Sequence, residues 1–241
     1  MGKDHEYKRV LLKVSGEALV GSKDSGVDID VCNAVAHSIK ELHDSGKEVA
    51  IVVGGGNFFR GSTGVSLQGM NQSAADNIGM LATIINGLLL KHSLEEKGCE
   101  VRVMSALECP KAVEPFIREK AIQHLEARRI VIFVGGTGNP FFTTDTAAAL
   151  RAGEIEAQLL IKATKVDGIY DKDPNKYDDA VKYETLTYSQ AIEEKLKIMD
   201  LTAFTLCMEN KIPIFVCDIF EDNGIVAMIE NFSLGTIVKG E

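Results

Sequence analysis

Apolar positions along the chain follow two alternating rhythms. Short runs at Arg9 to Val14, Glu48 to Val53, Glu100 to Met104, Ile130 to Val134 and Gln158 to Lys162 are mostly apolar, without the alternation of a one-sided strand. Such runs predict strands buried on both faces. Ile214 to Cys217 and Thr236 to Val238 predict two more. Between the runs the apolar spacing widens to three and four. Val31, Val35, Ile39 and Leu42 mark one face of a helix over Asp30 to Ser45, which Gly46 stops. Ser73 to Lys97 predicts a long helix ended by Gly98, with Ser73 as N-cap and Asp76 completing a variant capping box. Further helices are predicted over Pro115 to Arg128, from Thr143 or Thr144 through Ala152, and over Tyr188 to Leu196, Leu201 to Asn210 and Asn223 to Asn231. Val166 to Asp179 reads as a loop. Strands that alternate with helices predict an α/β fold, with a mostly parallel sheet covered on both sides. The best soft boundary within it lies near residues 155–160.

Composition leaves that picture intact and narrows the partners. At 241 residues, 45% hydrophobic and 25% charged, the chain suits an ordinary globular protein of one large domain or two small ones. A net charge of −9 argues against the broad basic field that nucleic acid or an anionic membrane requires. Any phosphate site is therefore local, built from few and placed cations. The five cysteines are odd in number, with no CxxC and no zinc spacing, so they read as reduced thiols of a cytoplasmic protein. Met1 to Arg9 is charged and carries no apolar leader core. The longest apolar stretch, Met80 to Leu90, is broken by Thr83, Asn86 and Gly87 and is too short to span a bilayer.

Candidate chemistry gathers where predicted strands end. Gly16, Gly54 to Gly56, and Gly135, Gly136 and Gly138 follow three of the strands. In an open parallel sheet, ligands bind at the carboxyl ends of the strands. Glycine there lets backbone N–H groups approach an anion. Singly, each cluster is equally a tight turn; three together favour a phosphate site. No Walker motif, dinucleotide fingerprint or protein-kinase motif set is present. Lys13 and Lys162 each interrupt an apolar strand end, a costly place for a cation unless it is paired. Arg60 offers a forked phosphate contact. Asp145 orients lysines or only offsets a helix dipole, and Asp76 binds a ligand or only caps a helix. Asp171 and Asp173 sit in a polar turn. None of the histidines lies beside a glycine turn. That pattern suits phosphoryl transfer to an acceptor that is itself a phosphate and needs no general base.

The segments Lys13-Val14-Ser15-Gly16-Glu17-Ala18-Leu19, Gly54 to Gly61, Gly136 to Asp145, Lys162 to Gly168 and Met199-Asp200 resemble the bacterial uridylate (UMP) kinases of the amino acid kinase family. The match runs in order from residue 8 to residue 239. It implies a three-layer α/β/α sandwich, with a UMP-binding part over about 1–157 and an ATP-binding part over about 158–241. It implies transfer of the γ-phosphoryl of ATP to UMP in pyrimidine biosynthesis, with Mg²⁺ held by the ATP phosphates and not by a protein metal site. By position, Lys13, Val14, Ser15, Gly16, Gly56, Arg60, Thr164, Tyr170 and Asp173 meet ATP. Gly55, Asp76, Thr137, Gly138, Asn139, Pro140, Phe141, Phe142, Thr143 and Thr144 hold UMP. Lys13, Arg60, Asp145 and Lys162 form the transfer centre. The resemblance also implies a homohexamer, inhibition by UTP, and a GTP effector site at Lys91, Arg102 and Arg129. The chain departs from the family pattern at Lys91, where arginine is familiar, at Gly135, where alanine is usual, and at Gln72, where a basic residue is common. Two alternatives stay open: a family kinase with another acceptor, and a non-catalytic nucleotide sensor.

Overall fold

The structure is a computed structural model that describes residues 7–59, 69–164, 166–174, 176–196, 198–220, 224–232 and 234–240. Eleven described strands run β1 Arg9–Val14, β2 Glu48–Val53, β3 Val101–Ser105, β4 Glu114–Pro115, β5 Ile130–Val134, β6 Leu159–Thr164, β7 Ile169–Tyr170, β8 Lys182–Tyr183, β9 Thr185–Thr187, β10 Ile214–Asp218 and β11 Thr236–Lys239. The described α-helices are α1 Ile29–Asp44, α2 Gln72–Glu95, α3 Arg118–Glu126, α4 Thr144–Glu154, α5 Tyr188–Glu193, α6 Leu201–Glu209 and α7 Gly224–Asn231.

Nine strands form one sheet in the order β4-β3-β5-β2-β1-β6-β10-β11-β9. All its pairings are parallel except β10 with β11. The apolar runs explain this, because side chains alternate across a strand and both faces must be covered. Val10, Leu12 and Val14 of β1 join a core with residues of α1, α2 and α7. Leu11 joins the opposite core, with residues of α3, α4, α5 and α6. Each fully buried leucine contributes roughly 1.5–3 kcal/mol relative to leaving it exposed. Lys13 lies on the Leu11 face by the same alternation, and so does Lys162 beside Leu160.

Several expectations need correction. The cap of α2 is Asn71, whose Oδ1 accepts from Ala74 N at 2.8 Å; Ser73 lies inside the helix. Asp76 therefore closes no capping box and is free for another partner. Thr143, and not Thr144, caps α4. The helix predicted from Pro115 begins only at Arg118, because Glu114–Pro115 adds a short edge strand to β3. Proline is tolerated on such an edge, where no partner needs its missing N–H. Within and just after the predicted loop, β7 and β8 pair as an antiparallel hairpin outside the main sheet. α2 is long and apolar enough to cross a bilayer by length and composition, which the run Met80 to Leu90 alone did not suggest. It is instead built into the protein, burying Ala75, Met80, Ile84, Leu90 and Leu94.

Candidate active site

The strands that end in glycine turns, β5, β2 and β1, are neighbours, and β6 follows. Their carboxyl ends therefore form one ledge. Gly16 packs so closely on the second turn that a Cβ would lie 2.8 Å from Gly56 N and 2.9 Å from Gly54 O. A side chain there would force the two turns apart. Gly135, Gly136 and Gly138 all take positive φ, which lets the third turn fold back over the ledge.

Lys13 and Lys162 are lateral partners across β1 and β6. Strands lie roughly 4.8 Å apart, so two ammonium groups on one face would repel. Asp145, in the first turn of α4, stands between them. Its Oδ1 is 2.9 Å from Lys13 Nζ and its Oδ2 is 2.8 Å from Lys162 Nζ. Lys162 also donates to Ile198 O at 2.5 Å. Lys13 is the partner that the buried Oδ1 has, so the ion pair is what satisfies that oxygen. Burial works against the Asp145 carboxylate, but the two lysines outweigh it and hold its pKa below the ordinary aspartate value. Burial dominates at Lys162 and lowers its pKa, with Asp145 opposing the shift and Lys13 adding to it. Two lysines and one aspartate leave a single net positive charge, 8% exposed at Lys13.

A cleft opens on each side of this bridge. The first, about 460 Å³, includes Lys162, Thr164, Gly168, Tyr170, Asp173 and Val216 in its lining. Tyr170 donates to Asp167 Oδ1 at 2.7 Å, and that carboxylate pushes the Tyr170 pKa up to about 12, so the phenol stays a donor. The second cleft, about 430 Å³, includes Gly55, Gly56, Asp76, Thr83, Phe142 and Thr144. Gly56, expected with the donor residues, lines this second cleft. Asp76 accepts from Gln72 Nε2 at 2.7 Å and from Phe141 N at 2.8 Å, which ties α2 to the segment before α4. Thr137 and Asn139 bond to each other within that segment. Phe141 holds a positive φ and stays 74% exposed. Val14 is buried in the core, and Ser15 caps the short 3₁₀ turn Gly16–Leu19. Arg60 lies outside the described residues.

Among the described residues no group of three or more His, Cys, Asp or Glu could hold a metal ion. A third cavity, about 330 Å³ at the sheet edge, includes Lys91, Arg102 and Lys111. Arg129 does not line it and pairs with Glu100 at 2.8 Å.

The sequence model of the amino acid kinase family matches residues 8–218. The chain belongs to the amino acid kinase family. Within it, a uridylate kinase from Sulfurovum sp. (strain NBC37-1) is 54% identical over 233 residues, covering 96% of this chain and 99% of that protein. A uridylate kinase from Xanthomonas oryzae pv. oryzae is 50% identical, covering 97% of each. Among solved structures, UMP kinase from Ureaplasma parvum superposes with a TM-score of 0.91 at 39% identity, over 97% of this chain and 99% of that one. UMP kinase from Bacillus anthracis gives 0.93 at 37%, over 98% and 97%. The three-layer α/β/α fold of this amino acid kinase family member agrees with theirs.

Other positioning residues of this family member escaped the sequence reading. Asp200 caps α6 through Ala203 N at 3.0 Å and accepts from the hydroxyls of Thr143 and Thr146, joining the two helix starts. Asn86 and Asn57 exchange amide hydrogen bonds at 2.9 and 2.7 Å, and Asn86 also donates to Gly54 O at 2.6 Å. Thr83 Oγ1 accepts from Gly135 N at 2.7 Å. Asp76, Thr83 and Asn86 thus form a polar stripe along α2 that fixes the glycine turns. Asp76 was marked by the sequence, whereas Thr83 and Asn86 were signalled only as breaks in the apolar run.

Proposed function

We propose that this chain transfers the γ-phosphoryl group of ATP to UMP, giving UDP and ADP, as a step in pyrimidine nucleotide synthesis. The observation that carries the reading is the Lys13–Asp145–Lys162 bridge between two clefts. Lys162 lines one cleft, and Thr144, next to Asp145, lines the other. The 54% and 50% identical uridylate kinases support UMP as the acceptor. The cleft drawn from residues 162–216 takes ATP, and the cleft drawn from residues 17–144 takes UMP. That division supports a UMP-binding part near 1–157 and an ATP-binding part near 158–241.

The chemistry follows from charge. The second pKa of a phosphate monoester is about 6, so the acceptor is largely dianionic at neutral pH and needs no base to attack. A bond forms from an acceptor phosphate oxygen to the γ-phosphorus. The bond from that phosphorus to the bridging oxygen breaks, and its electron pair leaves with ADP. The obstacle is the mutual repulsion of the anions and their alignment. Lys13 and Lys162 place ammonium groups where that charge builds. Asp145 holds both in place beforehand, so little reorganisation is needed during transfer. Gly16 and Gly56 let the backbone approach the phosphates, and Arg60 supplies a forked contact. Asp76 takes the ribose hydroxyls, while Thr137 to Thr144 reads the uracil and the phosphate. Asp145 is committed to the two lysines, and Mg²⁺ would enter on the ATP phosphates. When bound, that ion neutralises donor charge.

The protein acts in the cytoplasm as a homohexamer. Ile78, Leu81, Ile85 and Leu88 form an exposed apolar stripe on α2 that supports contact with a second copy. Lys91 and Arg102 in the edge cavity support a nucleotide effector site, with GTP activating and UTP inhibiting. ADP release measured with ATP and UMP, CMP or N-acetylglutamate tests the acceptor, and added GTP and UTP test the effectors. Turnover with another acceptor and none with UMP sinks the reading.

A further inference from the structure

The β7–β8 hairpin bounds the donor-side cleft with Gly168, Ile169 and Tyr170, yet it lies outside the main sheet. Thr236, the first residue of β11, connects the two. It is fully buried and pairs with Val216, which lines the same cleft from β10. Its hydroxyl accepts from Ile169 N at 2.8 Å and donates to Tyr183 O. Ile169 and Tyr183 are opposite each other in the hairpin, so one hydroxyl grips both strands. Ile237 N adds a bond to Glu184 O at 3.1 Å. Gly168 packs onto the same hydroxyl: a Cβ there would lie 2.7 Å from Thr236 Oγ1 and 2.9 Å from Lys182 Cδ. Lys182 in turn reaches Asp167 at 3.0 Å, and Asp167 accepts from Tyr170.

We infer that Thr236 is a positioning residue for the donor nucleotide, clamping the hairpin so that Tyr170 and the Gly168 backbone hold the shape of the donor cleft. The inference rests on reading that cleft as the ATP site. Valine at position 236 would keep the shape of threonine while leaving the buried Ile169 N–H and the part-buried Tyr183 carbonyl without this partner. Serine would keep the hydroxyl.

Steady-state kinetics of the full-length enzyme test this with Thr236→Val, Thr236→Ser and Gly168→Ala. Thr236→Val raises the KM for ATP roughly tenfold, the scale of one lost buried hydrogen-bond set, with the KM for UMP and kcat within about twofold. Thr236→Ser restores the KM for ATP. Gly168→Ala reproduces the defect with every hydrogen-bonding group kept, and it carries the test should Thr236→Val not fold. An unchanged KM for ATP in both Thr236→Val and Gly168→Ala overturns the inference. So does an equal rise in both KM values with a lower melting temperature, which makes Thr236 a general support of the fold. A rise confined to UMP, with faster amide exchange at Ile169, shows that the clamp exists but overturns its donor role and the donor assignment of the cleft together.

Discussion

The two clefts beside the lysine bridge are built in opposite ways. The cleft proposed for the acceptor draws on Glu17, on Gly55 to Phe59, on α2 and on Gly136 to Thr144, which are segments far apart in sequence. One helix holds several of these together, because Asp76, Thr83 and Asn86 of α2 bond to Phe141 N, Gly135 N and Gly54 O. The cleft proposed for the donor is drawn wholly from Lys162 and residues after it, and part of its wall is a hairpin gripped by the Thr236 hydroxyl. A buried polar network that is fully satisfied rigidifies what it holds. We propose that the acceptor side is held by one helix, α2, whereas the donor-side wall hangs on a hairpin tied to the sheet through Thr236 and Ile237. Asp145 links the two parts of the chain, since it ties Lys13 of β1 and Lys162 of β6 to α4.

Breaking that tie has the largest expected effect. Asp145→Asn leaves Lys13 and Lys162 side by side with no charge between them. We expect kcat to fall about 10³-fold, on the scale of removing one preorganised electrostatic contact, while both KM values stay within several-fold. The pH profile sharpens the test. On the proposed role of Lys162, transfer needs its ammonium form, and kcat should fall as pH rises through the Lys162 pKa. Burial already sets that pKa below the ordinary lysine value, and Asp145 opposes the shift. The alkaline limb of kcat therefore moves to lower pH in Asp145→Asn. A kcat loss under about tenfold, or a limb that stays in place, removes Asp145 from the transfer centre.

The next effect separates the two clefts. Asp76→Ala removes a carboxylate from the acceptor side alone. The KM for UMP should rise about 30-fold, the worth of charge-assisted hydrogen bonds, with the KM for ATP within about twofold. A comparable rise for ATP would contradict the division of the site. Asn86→Ala tests the preformed scaffold behind that cleft. It takes the Asn86 donor from Asn57 Oδ1 and from the Gly54 carbonyl at the second glycine turn, while Asn57 Nδ2 keeps its bond to Gly26 O. Urea unfolding should show a loss of about 2 kcal/mol. Stability within about 0.5 kcal/mol of wild type would mean that the amide pair does not hold the turn.

The same contrast decides what could be read without coordinates. The six neighbouring strands β3, β5, β2, β1, β6 and β10, which carry the ledge and its flanks, announce themselves through apolar runs, since a strand buried on both faces leaves no other composition. Strand-end lysines and glycine turns are local too, so Lys13, Lys162 and the three turns were legible. Asp76 and Asp145 were visible but ambiguous, because capping and ligand binding use the same residue type. Asn71 outcompeted Ser73 for the α2 cap, a difference of two residues that hydrophobic spacing does not resolve. The hairpin strands β7 and β8 are two residues each, too short for any periodicity. Asp200 and Thr236 act through partners more than fifty residues away in sequence, and no local signal marks such a bond. Asp200 alone had a partial cue, standing just before an apolar helix where a cap belongs.

The smallest effect concerns Lys195, which lines the donor-side cleft just past α5. Its φ is 55°, a left-handed conformation that a side chain disfavours. The conformation is imposed by the helix end. Leu196 N bonds to Ala191 O at 3.0 Å and Lys195 N to Ile192 O at 3.1 Å, a Schellman closure in which glycine is the preferred residue. Lysine therefore stands where the fold alone favours glycine, in the cleft proposed to take ATP. Lys195→Gly should stabilise the protein by about 0.5–1 kcal/mol by relieving the strain. The same change should raise the KM for ATP about twofold to threefold and leave that for UMP unchanged, the modest worth of one exposed charge facing a polyanion. The two readouts pull in opposite directions, so they are informative together. A gain in stability without a change in ATP affinity would mean that the strained lysine does nothing for the donor. The weaker scaffold on that side would then be compensated by Thr236 and its neighbours, and not by added charge.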